Sequence, residues 1–428
     1  MSRWDDVATT RSSTEKQIAD LLRTAKDALH LSVAFMTRMD GTTQTLEVVE
    51  SSVPWVFREG HQQKQEVTLC QGVLDGTLPA VMADLREHPD AMWRPSATFP
   101  RIRSYVSVPV TLSDGTLYGT FCAAGLTTDR GLADRDKGLM SVLAHAAAVV
   151  IEPEVRELAR RAAIDDRLAP LQLAGGPRVL LQPIVEIVTG HRVGSEALSR
   201  FPQEWAQAPD VVFAEAHSVG RGDALELMAL QRAAGLLDRV DGYVSMNVSP
   251  ATLLRADLLD FLHALPLPRI LLELSEHEPV EDYTALRTAL APLREQGMRL
   301  AIDDVGAGFS SLRHIVICEP DVIKLDRSIV DGLSTDRVLH SLVRSLVDFA
   351  DGLGAVVVAE GVETAADALA LEALHVGYGQ GWYWGRAVPA ELLEDRYDIP
   401  VAVPSSLTGL LPRQGTAAQA ADTALADA

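Results

Sequence analysis

Six short apolar segments in the second half of the chain each end on an acidic, amide or basic side chain. The end positions are Glu196, Asn247, Glu273, the pair Asp303 and Asp304, Lys324, and Glu360. Stretches with the apolar spacing of helices, such as residues 336–353, lie between these segments. Strands that alternate with helices form parallel sheets, and this number of repeats predicts a sheet that closes into a TIM-like (β/α)8 barrel.

The polar ends of these segments predict a metal site. In a barrel of this type the chemistry lies at the carboxyl ends of the strands, so these side chains are expected to face one small pocket. Carboxylates that converge in a pocket repel one another strongly, and divalent cations among them relieve the repulsion. Glu, Asp and Asn offer oxygen ligands, which suit Mg²⁺ or Mn²⁺ far better than zinc.

Length and charge exclude several classes of partner. The chain has 428 residues, which favours two domains, and its formal net charge is -21. This negative charge opposes binding to DNA, RNA or an anionic membrane. Such binding requires an excess of Lys and Arg side chains that neutralise the phosphates of the partner. A small anionic ligand is compatible with it, provided that local cations meet the ligand's charge.

The cysteines and the apolar runs indicate a cytoplasmic protein. Cys70, Cys122 and Cys318 are far apart and form no CxxC motif, so neither a disulfide framework nor a zinc site is expected. We interpret Cys70 and Cys122 as small buried thiols rather than as attachment points for a chromophore. The scattered histidines are interpreted as structural or surface residues. No apolar run approaches ~18 residues, so no transmembrane helix is predicted, and the N-terminus lacks the pattern of a signal peptide.

The first 150 residues or so have the pattern of an α+β domain. A helix with Ile18 and Leu22 on one face comes first, and a helix at 134–151 comes last. Two hairpins with turns at 40–41 and 114–115 lie between them, and residues 50–100 are expected to be irregular. An antiparallel sheet with flanking helices is therefore predicted.

The chain is expected to divide into four parts. Residues 1–152 form a regulatory domain, and residues 178–400 form the barrel. Residues 153–177 are rich in Arg, Ala, Glu and Leu, which favours a helical linker that stops at Gly175. The tail at 401–428 has little apolar patterning and is predicted to be disordered.

The motifs of the barrel half resemble those of the EAL family of cyclic-di-GMP phosphodiesterases, over residues 178–395. Glu196-Ala197-Leu198 is the three-letter signature that names the family. Further motifs follow in the family's order: Gln182-Pro183-Ile184-Val185, Asn247-Val248-Ser249, Glu273-Leu274-Ser275-Glu276, Asp303-Asp304-Val305-Gly306, Lys324-Leu325-Asp326, Ala359-Glu360-Gly361-Val362-Glu363 and Gln380-Gly381. The N-terminal part is similar to a GAF domain, a sensor module for small ligands, at residues 32–35, 70–76 and 108–122.

The resemblance implies a two-metal centre that holds Mg²⁺ or Mn²⁺. The implied ligands of the first cation are Glu196, Asn247, Glu273 and Asp303. Asp303 would bridge to a second cation, which Asp304 and Glu360 would also hold. Two cations a few ångströms apart can lower the pKa of a water and stabilise both the entering and the leaving oxygen of a phosphodiester.

The resemblance also implies catalytic and substrate-binding roles for other side chains. Lys324 would orient the attacking water, and Glu363 would anchor the loop that contains Asp303 and Asp304. The implied substrate contacts are Gln182, Arg200, Asp326 and Gln380. Arg200 in particular would pair with a substrate phosphate as a planar fork.

Taken one at a time, these residues admit ordinary structural roles. An acid at a strand end can cap a helix or lie in a solvated loop, and Asn247 can be a turn residue. Lys324 can form a structural ion pair with Asp326 or with a ligand carboxylate. Glu363 can be a surface residue that starts a helix, and the two glutamines can be polar packing.

The leading interpretation is hydrolysis of cyclic di-GMP to linear pGpG, at a rate set by the N-terminal domain and its unidentified small ligand. The alternative is a catalytically inactive receptor that binds cyclic di-GMP and signals through a protein partner. A third interpretation, compatible with both, makes the N-terminal half chiefly a dimerisation platform, because packing helices at both its ends could pair across a two-fold axis. A homodimer is expected. Val305 replaces the phenylalanine that is usual in the family's loop, and the sequence does not predict how this affects activity.

Overall fold

The computed structural model describes residues 11–53, 57–95, 101–275, 280–306 and 311–397, with backbone alone for residues 311–314. By its internal contacts the chain separates into two compact units, an N-terminal unit of residues 1–162 and a barrel unit of residues 163–428. The predicted boundaries at 152 and 177 stay predictions. The tail at 401–428, predicted to be disordered, lies outside the described residues.

The N-terminal unit is an antiparallel sheet flanked by helices, as the sequence predicts. Its strands are β1 Val33–Met39, β2 Thr43–Ser51, β3 Gln62–Lys64, β4 Val81–Met82, β5 Ser104–Thr111 and β6 Leu117–Gly125. Its helices are α1 Ser13–Ala28, α2 Leu69–Leu74, α3 Pro89–Met92 and the start of α4 Asp134–Ala174. The sheet order is β3-β2-β1-β6-β5-β4, and the two predicted hairpins are β1–β2 and β5–β6. In the described part of the segment that was expected to be irregular, short elements are present, among them β3, α2, β4 and α3.

Alternation along the strands of the N-terminal sheet separates two apolar cores. Successive side chains of a strand point to opposite faces of its sheet. On one face, Ala34 and Met36 of β1 pack with Leu22 of α1. On the other face, Phe35 of β1 packs in a cluster that contains Cys70 of α2.

The longest helix, α4, joins two segments that the sequence analysis treated separately. It runs from Asp134 to Ala174 with Pro153 inside it. It ends at Gly175 and Gly176, whose φ angles of 76° and 114° lie in the left-handed region that favours glycine. Among the described residues, α4 is the one helix that is long and apolar enough to cross a membrane by length and composition. Its Met140 is fully buried in a core of the N-terminal unit, whereas Val142 and Val149 on the same helix are exposed.

The barrel unit is a closed ring of eight strands with helices between them. The strands are β7 Arg178–Glu186, β8 Arg192–Arg200, β9 Tyr243–Asn247, β10 Ile270–Ser275, β11 Arg299–Val305, β12 Val322–Leu325, β13 Val356–Ala359 and β14 Tyr378–Gly379. The helices are α5 Pro209–Ser218, α6 Gly222–Ala234, α7 Pro250–Leu253, α8 Ala256–His263, α9 Tyr283–Glu295, α10 Ser311–Cys318, α11 Arg327–Val330, α12 Arg337–Leu353 and α13 Ala365–Ala373. The ring order is β10-β11-β12-β13-β14-β7-β8-β9, so the predicted TIM-like barrel is confirmed.

The helix expected over residues 336–353 shows how local sequence sets the bounds of these elements. Asp336 caps α12 at its start, and its side chain accepts hydrogen bonds from the backbone N–H groups of Val338 and Leu339. Gly354 ends the helix with a φ of 72°. Val343, Val347 and Ala350 are buried, at the spacing of one helix face.

One strand departs from the predicted parallel arrangement. β7 pairs antiparallel with both of its neighbours, β8 and β14, whereas the other neighbouring strands of the ring are parallel. β7 and β8 are separated by residues 187–191 alone. A connection this short joins antiparallel strands, because a parallel pair needs a crossover of a dozen or more residues.

Alternation along the barrel strands stacks an apolar layer and a polar layer in the interior. Leu271, Ala301, Val322 and Val358 belong to one buried apolar cluster. Side chains two residues further along a strand point the same way. The next interior layer is therefore formed by the side chains that follow at this spacing: Glu273, Asp303, Lys324 and Glu360.

Candidate metal centre

A buried lysine lies at the centre of the interior polar layer. Lys324 is 1 % exposed. Its Nζ lies 3.7 Å from Glu196, 3.0 Å from Glu273, 3.1 Å from Asp303 and 2.5 Å from Glu360. One ammonium cannot neutralise four carboxylates, so the cluster carries an excess of negative charge when all four are ionised.

Burial and mutual repulsion disfavour the charged form of these acids. For Glu273, burial together with repulsion from Glu196 and Asp303 outweighs the attraction of Lys324 and raises the pKa to about 8. Burial likewise raises the pKa of Glu360 well above its usual value. Burial lowers the pKa of Lys324, but the surrounding carboxylates raise it by more. The lysine therefore stays charged, and the acids need further positive charge.

Several buried oxygens of the cluster fit a divalent cation. Both Oε atoms of Glu273, Oδ1 of Asp303 and Oε1 of Glu360 have no other partner among the described residues, and three of these four oxygens form ion pairs with the single Lys324 ammonium. A buried carboxylate oxygen without a partner is costly. Mg²⁺ and Mn²⁺ take oxygen ligands of this kind, so the residues present fit such a cation.

Two groups of acids have the spacing of cation ligands, and they share one residue. Oxygens of Glu196, Glu273 and Asp303 lie within 4.8 Å of one another. Oxygens of Asp303, Asp304 and Glu360 form a second group with the same spacing. The structure thus brings together all five carboxylates that the sequence analysis selected as ligands.

An irregularity in β11 lets two consecutive acids face the same centre. In a regular strand, Asp303 and Asp304 would point to opposite faces. The pairing of β11 with β12 shifts register between Ile302 and Val305, as at a β-bulge. Asp304 has a φ of 60°, in the left-handed region. Such strain costs about 1–3 kcal/mol and is often found at functional sites.

Glu196 lies near the middle of β8 rather than at its end, which corrects the prediction for this segment. The parallel pairing of β8 with β9 stops one residue later, at Ala197, so Glu196 still lies at the edge of the parallel region. Two amides hold its carboxylate: Asn247 Nδ2 donates to Oε1 at 3.1 Å, and Gln380 Nε2 donates to Oε2 at 2.5 Å. Gln380 also donates to Gln182 at 3.2 Å. These contacts place both predicted glutamines beside the acid cluster.

Three further predicted residues make contacts outside the acid cluster. Arg200 Nη1 donates to the carbonyl of Ser199 at 2.9 Å. Asp326 caps α11, where its carboxylate accepts from the N–H of Ser328 at 2.9 Å. Glu363 pairs with Arg327 at 2.9 Å. The loop that Glu363 is predicted to anchor continues through residues 307–310, which lie outside the described residues.

A cavity of about 570 Å³ adjoins the acid cluster, and part of its lining was missed by the sequence analysis. Asn247, Glu273 and Arg200 line it, as do Asp210 and Phe213 of α5. The lining also includes a hydrogen-bonded pair that joins α5 to α6: His217 Nε2 and Glu226 Oε1, 2.6 Å apart. Glu226 Oε2 accepts a hydrogen bond from the backbone N–H of Ser249 at 2.9 Å. Ser249 follows Asn247 by two residues in the chain. These residues lie on helices between the strands, where no strand-end signal marks them.

Comparison with known proteins shows two domain matches. The sequence matches the EAL domain over residues 166–387, which is more than half of the chain, and the GAF domain over residues 13–151. It is 32% identical over 250 residues to an uncharacterized protein of Mycobacterium tuberculosis, covering 54% of this chain and 40% of the relative. It is 31% identical over 225 residues to the probable cyclic di-GMP phosphodiesterase PdeB of Escherichia coli, covering 49% of this chain and 42% of PdeB. The chain thus spans about two fifths of the length of these curated relatives.

A solved structure supports the fold. The EAL domain of FimX from Xanthomonas citri, solved in complex with cyclic di-GMP, aligns with a TM-score of 0.50 at 18% identity, over 56% of this chain and 99% of that domain. An identity this low bears on the fold alone. The chain belongs to the EAL domain family, with a GAF domain ahead of its EAL domain.

Proposed function

We propose that the chain hydrolyses cyclic di-GMP to linear pGpG with Mg²⁺ or Mn²⁺ held at the acid cluster. The observation that carries the proposal is the pair of overlapping ligand groups that share Asp303. Two neighbouring cations joined by a shared ligand suit the in-line displacement of a phosphodiester oxygen. The similarity to PdeB, a probable cyclic di-GMP phosphodiesterase, supports the same substrate.

The proposed ligands follow the two groups. Glu196, Asn247, Glu273 and Asp303 would hold the first cation, and Asp303, Asp304 and Glu360 would hold the second. When bound, the cations would supply the positive charge that activates a water and offsets the charge of the phosphate. In the reaction, a water oxygen forms a bond to phosphorus, the bond from phosphorus to the ribose 3′ oxygen breaks, and that oxygen takes a proton as it leaves.

Other side chains of the centre bind and orient. The buried Lys324 ammonium would donate hydrogen bonds to the attacking water or to a phosphate oxygen. Because the protein already holds this charge in place, little reorganisation is needed during the reaction. Arg200, at the wall of the adjoining cavity, would bind a substrate phosphate. Gln182 and Gln380 would orient Glu196 and contact the substrate. Asp326 is proposed to contact the substrate at the rim of the site. Glu363 is proposed to anchor the loop that follows Asp304.

The wider setting is also proposed. The GAF domain would bind an unidentified small ligand and set the rate of hydrolysis. The protein would act as a homodimer in the cytoplasm. Its partner would be cyclic di-GMP, and it would bind neither nucleic acid polymers nor membranes.

The experiment that tests the proposal is incubation of the full chain with cyclic di-GMP and Mn²⁺ or Mg²⁺, with and without a chelator. Chromatography should show pGpG formed with the cation and none with the chelator. Asp303→Asn should abolish turnover, and Glu295→Gln, which removes an exposed acid of α9, should not change it. Binding of cyclic di-GMP without any turnover would support the inactive receptor instead.

A further inference from the structure

The N-terminal unit contains a cavity of about 260 Å³ that lies outside the metal centre. Its polar lining is formed by Gln44, Arg58, His61, Gln63, Thr68 and Tyr105. Cys70, near the start of α2, also lines it. A water occupies about 30 Å³ of liquid, so the cavity has room for a ligand of a few atoms beside the thiol.

A second thiol lies directly behind Cys70. The Sγ atoms of Cys70 and Cys122 are 3.6 Å apart, and both residues are buried. Cys122 lies on β6, opposite Ser107 of β5, and it is not part of the cavity lining. Cys70 therefore stands between the cavity and Cys122.

The thiol pair has polar neighbours that an ordinary core cysteine lacks. The Tyr105 hydroxyl lies 3.0 Å from Cys70 Sγ and 3.2 Å from Cys122 Sγ. The hydroxyls of Ser107 and Thr120 lie 3.3 Å and 3.2 Å from Cys122 Sγ. Hydroxyl groups donate hydrogen bonds to a thiolate and stabilise its charge.

These neighbours make Cys70 the nucleophile of the pair. Burial opposes the thiolate, but hydrogen bonds from Cys122, Thr120, Tyr105 and Gln44 outweigh it and lower the pKa of Cys70 to about 7. Burial raises the pKa of Cys122 well above its usual value. In the barrel unit, burial raises the pKa of Cys318. The thiolate is the reactive form, and an attacking thiol works best with a pKa near the ambient pH.

One of the residues that line the cavity contains a buried acceptor without a partner. Gln44 is 1 % exposed, and its Oε1 has no hydrogen-bond partner among the described residues. A buried amide oxygen without a partner costs about 1–3 kcal/mol. A hydrogen-bond donor that reached it from the cavity would remove this cost.

We propose that Cys70 and Cys122 are a peroxide-reactive dithiol, and that hydrogen peroxide or a small organic peroxide entering the cavity converts them into a disulfide. The Cys70 sulfur attacks one peroxide oxygen, the O–O bond breaks, and the departing oxygen takes a proton and leaves as water or an alcohol. Cys70 is then a sulfenic acid. The Cys122 sulfur attacks the Cys70 sulfur, the S–O bond breaks, and a water leaves with the Cys122 proton. The two thiols lose two electrons in total, and the peroxide gains them.

The geometry of the pair permits the second step. A disulfide bond is about 2.05 Å long, so the two sulfurs, now 3.6 Å apart, must approach by about 1.5 Å. Rotation of the Cys70 side chain on the short helix α2 can supply this movement, because Cys122 is fixed within the central strand β6. The Tyr105 hydroxyl, which contacts both sulfurs, can donate to whichever one carries the negative charge.

The test is a count of free thiols in the full chain. Reduced protein is freed of reductant, treated with a small molar excess of hydrogen peroxide, and alkylated under denaturing conditions before peptide mass spectrometry. We expect two of the three thiols to disappear, one disulfide to join the peptides of Cys70 and Cys122, and Cys318 to be alkylated in full. A dithiol reductant should restore all three thiols.

Two variants identify the roles of the sulfurs. Cys122→Ser should stop at a sulfenic acid on Cys70, which dimedone traps, and the matched control Cys318→Ser should form the disulfide as the wild type does. Survival of all three thiols in peroxide would overturn the proposal. A disulfide that contains Cys318, or oxidation of Cys122 at the wild-type rate in Cys70→Ser, would overturn it equally.

Discussion

The Glu273 carboxylate lies 3.0 Å from the Lys324 ammonium, and the interior of the barrel encloses both side chains. Three other carboxylates share the same ammonium. Without cations, the lysine is the counter-charge for the whole group, and the acids are only partly compensated. Cations bound at the two ligand groups would complete this compensation, and the predictions below follow from that relationship.

Glu273→Gln should remove the stabilisation by metal without harming the metal-free fold. A cation present at 100 times its Kd stabilises a protein by about 2.7 kcal/mol, and we expect most of this increment to be lost. The metal-free free energy of unfolding should change by less than about 1 kcal/mol, because the metal-free carboxyl, whose pKa is raised to about 8, is already mostly uncharged near pH 7. The measurement is the thermal midpoint with and without Mn²⁺. Glu295→Gln should keep the full increment, and an unchanged increment in Glu273→Gln would show that Glu273 is no ligand.

Lys324→Met should separate catalysis from metal binding. Loss of a preorganised donor lowers kcat by about 10²–10³-fold. Mn²⁺ should bind at least as tightly as in the wild type, because the ammonium that competes for the same carboxylates is gone. Calorimetric titration and single-turnover kinetics measure the two effects. Weaker Mn²⁺ binding together with unchanged kcat would contradict the role given to Lys324.

Asp304 offers a test that distinguishes strain from function. Because its φ is 60°, Asp304→Gly should be more stable than Asp304→Ala by about 1–2 kcal/mol. Both variants should lose hydrolysis to the same extent, since both lack the carboxylate. Urea unfolding and the turnover assay provide the two readouts. Full activity in the glycine variant would mean that the backbone conformation matters and the carboxylate does not.

The end of α4 should be needed for a stable barrel unit. Ile164, Leu168 and Leu171 are buried in one cluster with Val212 and Leu225. Each fully buried aliphatic side chain contributes about 1.5–3 kcal/mol, so a fragment that begins at residue 178 should melt well below one that begins at residue 163. Equal thermal midpoints for the two fragments would show that this cluster contributes nothing to stability.

The sequence predicts the barrel and its acid cluster because both follow from short-range patterns. An apolar run that ends on Glu273 or Lys324 indicates both the strand and a polar residue near its end. Alternation along the strand then predicts which side chains face the interior of the barrel. The antiparallel direction of β7 was not predicted, since the apolar content of a buried strand does not report its direction. The five-residue connection to β8 held that information.

Other features depend on contacts that no local pattern contains. The left-handed conformation of Asp304 is set by the irregular pairing of β11 with β12. The contact of His217 with Glu226 joins two consecutive helices, and its place in the cavity wall depends on how these helices pack against the barrel strands. The proximity of Cys70 and Cys122, which are 52 positions apart, likewise depends on how α2 packs on β6. From the sequence alone, these thiols were therefore predicted to be ordinary buried core residues.

The central claim is that carboxylates from separate strands hold two divalent cations that share Asp303. Anomalous diffraction from crystals of the full chain grown with Mn²⁺ and cyclic di-GMP tests it most directly. We predict two anomalous peaks, one against Glu196, Glu273 and Asp303 and the other against Asp303, Asp304 and Glu360. An acid cluster that shows no peak at a saturating Mn²⁺ concentration, with Lys324 still paired to the four carboxylates, would contradict the account.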